Sequence, residues 1–122
     1  MDIKECYRLL SGDYESAFNR LYKEELVCRF ALKFLKDGSY DLLCRSLEEE
    51  NYEEAFRAVH TLKGVCQNLS FTKLYESSSR LTEALRPGGG NPEILKLMEQ
   101  VKEDYSQTIG AIRMLQDAME TK

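Results

Sequence analysis

His60 is the only histidine in the 122-residue chain. Lys63, Gly64 and Gln67 follow it at i+3, i+4 and i+7, spacings that place all four on one side of a helix. From Tyr52 to Leu69 the apolar residues Tyr52, Ala55, Phe56, Val59, Leu62, Cys66 and Leu69 recur at steps of three or four, Ala55-Phe56 apart, which predicts a helix over about that span. At ~100° per residue, His60 falls outside the apolar arc, toward its polar flank. A free imidazole, with its pKa near ~6.5, is mostly neutral and nucleophilic around pH 7. Glycine inside a helix costs ~1 kcal/mol relative to alanine, so Gly64 needs a reason. It leaves room beside the imidazole for another molecule, or it permits close helix packing, or it breaks the helix. Lys63 is either an ordinary solvated lysine or an ammonium that offsets negative charge arriving on the ring. Gln67 is either a surface residue or a hydrogen-bond donor to an anionic group. Together the four suggest an imidazole that accepts and releases a phosphoryl group, chemistry that asks mainly for positioning and charge stabilisation.

The phosphoryl donor is expected to be another protein. The sequence has no G-x-x-x-x-G-K-[ST] loop, and Gly88-Gly89-Gly90 runs into Asn91-Pro92 without a lysine. Cys66 shares the helix with His60 but lies on its apolar side, so a Cys-His nucleophile pair is not expected. The cysteines Cys6, Cys28, Cys44 and Cys66 form no C-x-x-C pair, and one histidine rules out a zinc site of two cysteines and two histidines. They read as reduced, mostly buried apolar side chains, with a four-thiolate site as the less favoured alternative. No cofactor and no metal site are expected.

The elements that must hold this helix are helical too. Ile3, Cys6, Tyr7 and Leu10 form a first stripe, with Gly12 a stop and Asp13 a cap for the stripe Ala17, Phe18, Leu21. Leu26, Phe30, Ala31, Phe34 and Leu35 form the next, ending near Asp37-Gly38. Ser39 is read as the cap of a helix with Leu42, Leu43 and Leu47, and Glu48 to Asn51 as a charged connection. After a turn at Ser70-Phe71-Thr72, with Thr72 a cap, Leu74, Ser78, Leu81 and Leu85 mark another helix. Pro87 and Pro92 flank the triglycine in a loop at 86–91. Asn91 caps the last helix, whose Ile94, Met98, Val101, Tyr105, Thr108, Ile112, Leu115 and Met119 make a heptad seam. That seam packs within its own bundle or, alternatively, in an intermolecular coiled coil. The fold expected is all-α, an antiparallel four-helix bundle over 23–122 with short additional N-terminal helices over 1–22, forming one domain.

The composition limits the function. Seventeen Lys and Arg against 21 Asp and Glu leave a charge of −4, which speaks against nonspecific nucleic-acid binding. An apolar fraction of 43% suffices for a core, and 31% charged residues can clothe it. No apolar run reaches the length of a membrane span, and MDIKECYRLL lacks the layout of a secretory signal. A cytoplasmic monomer is expected.

His60-Thr61-Leu62-Lys63-Gly64, with Ala58-Val59 before it and Asn68-Leu69 after, resembles the core motif of histidine-containing phosphotransfer (HPt) domains. Glu54 to Val59 and Leu81 to Arg86 are similar to the segments that lead into and follow that motif. The resemblance extends from about Phe34 to Arg86 and more loosely over the last helix. It implies a four-helix bundle whose second helix presents His60 as phosphoacceptor, usually through Nε2, with Lys63 assisting the phosphoryl charge and Gly64 giving a receiver domain room. Gln67 adds a hydrogen bond under this reading. Ser70 stands where the family commonly has a glycine, Phe71 where it commonly has a small residue, and Ser78 and Thr82 are candidates for a polar residue that some members supply from the next helix. The implied function is a phosphorelay carrier without ATP-dependent kinase activity. Its partners would be response-regulator receiver domains and a hybrid sensor histidine kinase, with Mg²⁺ on the receiver. Glu53, Phe56 and Arg57 are the nearest candidates for choosing among receivers. The alternatives are a noncatalytic helical adaptor that binds a receiver and the phosphoacceptor domain of a chemotaxis-type kinase.

Overall fold

The computed structural model describes residues 1–121. These residues form seven α-helices: α1 Ile3–Leu9, α2 Tyr14–Leu21, α3 Glu24–Lys33, α4 Ser39–Glu48, α5 Tyr52–Leu69, α6 Thr72–Leu85 and α7 Pro92–Glu120, with a 3-10 turn at Phe34–Lys36 after α3. Among the described residues there is no strand, and no helix is long and apolar enough to cross a membrane.

The helices α4 to α7 form the bundle. Their connections are short, so each reverses on the one before: α5 packs against α4 and α6, and α6 against α7. Tyr40 of α4 stacks on Tyr105 of α7 with ring centroids 3.8 Å apart, closing the ring of four. The heptad positions Ile94, Val101, Thr108, Ile112 and Leu115 are buried in cis. Met119, at the end of the seam, is exposed. Asp104 is also buried, a position that the seam does not include. Its carboxylate lies 3.7 Å from the Lys73 ammonium and accepts from Gln100 Nε2 at 3.0 Å.

The N-terminal helices close one end of this bundle. α1 packs on α7 and α2 on α3. Phe71, fully buried, meets Tyr7 of α1 at 5.6 Å and Phe34 of the 3-10 turn edge-on at 5.3 Å. A small residue at position 71 would leave that space empty, so the bulky one belongs with the helices that precede the bundle. The backbone joins the same parts: Asp13 N–H donates to Ser70 O at 2.8 Å and Lys73 N–H to Ser11 O at 3.2 Å. Gly12 is required by this clasp, because a Cβ there would stand 2.8 Å from both Leu10 Cδ1 and Ser70 O. Its role is close approach more than helix termination; Ser11 takes the left-handed conformation after α1.

The four expected caps fare differently. Asp13 and Asn91 cap α2 and α7 through their side chains. Ser39 instead begins α4 as a buried residue, and its N–H donates to Asp37 Oδ1 at 2.9 Å, so Asp37 does the capping. Thr72 lies inside α6, which has no side-chain cap. Asn51, read as part of a connection, caps α5 by accepting from Glu54 N–H at 3.1 Å.

Candidate functional site

α5 forms because its sequence agrees with a helix at every level. Asn51 caps it, and Glu53 and Glu54 place negative charge at the positive end of its dipole. Ala55, Ala58, Val59, Leu62, Cys66 and Leu69 bury one face. It ends in a Schellman motif: Ser70 is left-handed at φ 56°, its N–H donates to Gln67 O at 3.2 Å, and Phe71 N–H donates to Cys66 O at 2.9 Å. Serine is less at ease than glycine there. Ser70 Oγ donates to Ser16 Oγ at 3.0 Å, and Arg20 donates to the Gln67 and Asn68 carbonyls at 2.8 and 2.6 Å. α2 thereby supplies the partners that satisfy the end of α5.

His60 lies midway along this helix and is exposed. Gly64, one turn on, is inside an unbroken helix, and an added Cβ would meet nothing within 4 Å. Neither a helix break nor close packing accounts for it. The side of His60 toward the C-terminus of α5 is therefore open. On the other side, Phe56 lies parallel to the imidazole, with centroids 5.8 Å apart and planes at 28°. Above Phe56 stands the Arg86 guanidinium from the end of α6, 5.3 Å from the ring centroid. Glu83 holds that guanidinium by two hydrogen bonds, from Nε at 3.2 Å and Nη2 at 2.7 Å. These bonds keep the Glu83 carboxyl below its ordinary range against the opposing effect of desolvation, with the charge of Arg86 and those of its neighbours adding smaller effects in the same direction as the bonds.

Charges around the ring divide into paired and unpaired. Arg57 is taken up by Glu53 at 2.7 Å and Glu54 at 3.4 Å. Lys63, half-buried on the α6 side, makes no ion pair among the described residues. Gln67 is exposed two turns beyond His60, about 10 Å along the axis at ~1.5 Å per residue. Ser78 and Thr82 do not reach this surface: both are fully buried, and Thr82 Oγ1 donates to Ser78 O at 2.7 Å. α6 presents Glu83 and Arg86 to the site instead. Cys66 is buried and burial pushes its thiol far up, as expected for an inert apolar side chain.

The opposite flank of α5 carries a groove of about 600 Å³ between α2, α3 and α5. Leu21, Phe30, Phe34, Val65 and Leu69 supply its apolar lining, with Arg20, Lys33, Lys36 and Asp37 at its polar edge. Among the described residues no group of three or more His, Cys, Asp or Glu side chains is placed to hold a metal ion.

A solvent-facing imidazole with a bare backbone patch beside it is a surface that another protein can approach. Comparison with protein families agrees: the family model described as Hpt domain matches residues 38–111, more than half of the chain. The chain belongs to the Hpt domain family. Hpt domains take part in histidine phosphotransfer in two-component phosphorelays and interact with receiver domains and kinases. The match covers α4, α5, α6 and most of α7 of this Hpt domain and leaves α1 to α3 outside it. Comparisons with curated proteins and with solved structures returned no match.

Glu83 and Arg86 were missed by the sequence reading. Their i, i+3 spacing and opposite charges are a recognisable helical pair. That the pair reaches over Phe56 depends on how α6 is rotated against α5.

Proposed function

We propose that this Hpt domain is a phosphorelay carrier in which His60 accepts a phosphoryl group from the phosphoaspartate of one receiver domain and passes it to another. The observation that carries this reading is the exposed imidazole beside the open Gly64 position on a continuous helix. A receiver can bring its phosphoaspartate in line with the ring without displacing any side chain at position 64. The Nε2 lone pair forms the N–P bond while the P–O bond to the aspartate breaks. The carboxylate leaves with the electron pair, and the proton stays on Nδ1. Reversal of the same step loads the next receiver.

Lys63 supplies unpaired positive charge for the arriving phosphoryl oxygens. Gln67 offers its amide to the docked receiver further along the helix. The apolar groove beside α5, with Arg20, Lys33 and Lys36 at its edge, suits a receiver whose phosphorylation pocket is acidic. That pocket and its Mg²⁺ belong to the receiver. The carrier contributes the nucleophile and the docking surface, and has no kinase activity of its own.

The test is to incubate the protein with a receiver carrying labelled phosphoaspartate. Acid-labile, alkali-stable label on the wild type and none on His60→Gln is the expected result. Absence of label on the wild type with a panel of receivers, or equal label on His60→Gln, overturns the proposal.

A further inference from the structure

The Glu83–Arg86 pair lies on a different helix from His60, yet the two are joined by packed groups. The imidazole lies along the Phe56 ring, the ring lies under the Arg86 guanidinium, and the guanidinium is gripped at two nitrogens by Glu83. Both members of the ion pair are exposed, with side chains 53% and 61% accessible, so neither is needed to fill the core. A structural role for a surface pair at the end of a helix would be small. Its position beside the ring gives it another.

We infer that Glu83 is a positioning residue that restrains the phosphorylated state of His60 by holding and neutralising Arg86 beside the Phe56–His60 ring pair. The inference rests on the reading of His60 as phosphoacceptor. Its physics is a count of charge. Attack by neutral imidazole leaves a ring of charge +1 bearing a phosphoryl group of nearly two negative charges, a net change close to −1. Nearby positive charge favours that product and negative charge opposes it. With both residues ionised the pair sums to zero, which among the described residues leaves Lys63 as a cation without an ion pair on this side of the ring. Glu83 also lies within the electrostatic reach of His60 and Lys63. Taking away its charge leaves a full positive charge on Arg86, one ring away from the imidazole. Taking away the charge of Arg86 leaves a full negative one.

The experiment measures how labelled phosphate divides at equilibrium between one receiver and the carrier. The rate depends on how tightly the proteins dock; the equilibrium between the free species does not. Glu83→Gln is expected to raise the phospho-His60 to phospho-receiver ratio about two- to threefold, and Arg86→Gln to lower it by a similar factor, because the groups are solvent-exposed and screened. The double variant Glu83→Gln/Arg86→Gln restores zero local charge and should return to near the wild-type ratio. Arg86→Lys, which keeps the charge, should also stay near wild type. Far-UV circular dichroism checks that each variant is folded, and 0.5 M salt should shrink both single-variant shifts. An unchanged or lowered ratio in Glu83→Gln, or a shift of the same sign in the two single variants, overturns the inference while leaving His60 as the acceptor. A wild type that takes no label overturns both.

Discussion

Gly64→Leu separates access from stability at a single position. An added Cβ at Gly64 meets nothing within 4 Å, and the residue lies well inside α5. Replacing glycine in a helix interior relieves a backbone cost of about 0.5–1 kcal/mol, so neither Gly64→Ala nor Gly64→Leu should lose stability. For a domain of this size, a gain of that order raises the melting temperature by a few degrees. Transfer should move the other way. A leucine one turn from His60 stands where the receiver must come within bonding distance of the ring, and overpacking a close contact costs typically ~1–3 kcal/mol. At ~1.4 kcal/mol per tenfold, transfer slows by about 5- to 150-fold. Gly64→Ala, with one methyl group, should fall between leucine and wild type. Thermal melts followed by circular dichroism and rapid-quench transfer from a phosphorylated receiver read the two effects separately. Wild-type transfer rates in Gly64→Leu would refute the access argument. A melting temperature lowered by several degrees would show that the glycine serves packing after all.

Other perturbations test the remaining parts. Phe71→Ala removes a fully buried ring that joins α1 and the 3-10 turn to the α5–α6 turn. It should cost about 3–5 kcal/mol in denaturant unfolding. Gly12→Ala forces a Cβ against Ser70 O and should lower the melting temperature, whereas Gly64→Ala should not. Lys63→Ala should slow transfer roughly tenfold with little change in melting temperature, since the ammonium makes no ion pair to lose. Burial pushes the Cys6 thiol up to about 12 from an ordinary value of 9.0. Above pH 9 the unfolded chain therefore releases a proton that the folded chain keeps, and stability should fall as pH rises from about 9 toward 12. Cys6→Ala should flatten that part of a stability–pH profile.

The site was legible where its signals lie along one helix. The three- and four-residue steps from Tyr52 to Leu69 and the placing of His60 off the apolar arc both concern α5 itself, and its bounds at Tyr52 and Leu69 follow from them, although its cap Asn51 was read as part of a connection. Gly64 stood out because a helix interior charges a known cost for glycine. What depends on contact between helices could not be read in this way. Ser78 and Thr82 occupy a different face of α6 from Glu83 and Arg86, and the packing of α6 against α5 and α7 decides which face reaches the ring. Gly12 looked like a helix stop, but a Cβ there would collide with Ser70 O, 58 positions along the chain, as closely as with Leu10. Phe71 stands where the resemblance to the family implies a small residue. Helix α1 and the 3-10 turn after α3, which precede the matched region, bring Tyr7 and Phe34 to its neighbourhood. Ser39 and Thr72 were plausible caps by residue type, yet each sits one position inside its helix. Local chemistry does not fix a boundary to a single residue when a neighbour such as Asp37 can satisfy the same N–H.

The central claim, that His60 carries the phosphoryl group, can be read directly by mapping the modified residue. Trypsin cuts after Arg57 and Lys63, which isolates His60 in the six-residue peptide Ala58–Lys63. After incubation with a phosphorylated receiver and digestion at neutral to alkaline pH, fragmentation of that peptide should place the phosphate on the imidazole, and brief acid should remove it. Phosphate on Thr61, which shares the peptide, or on any other part of the chain with His60 unmodified, would contradict the account.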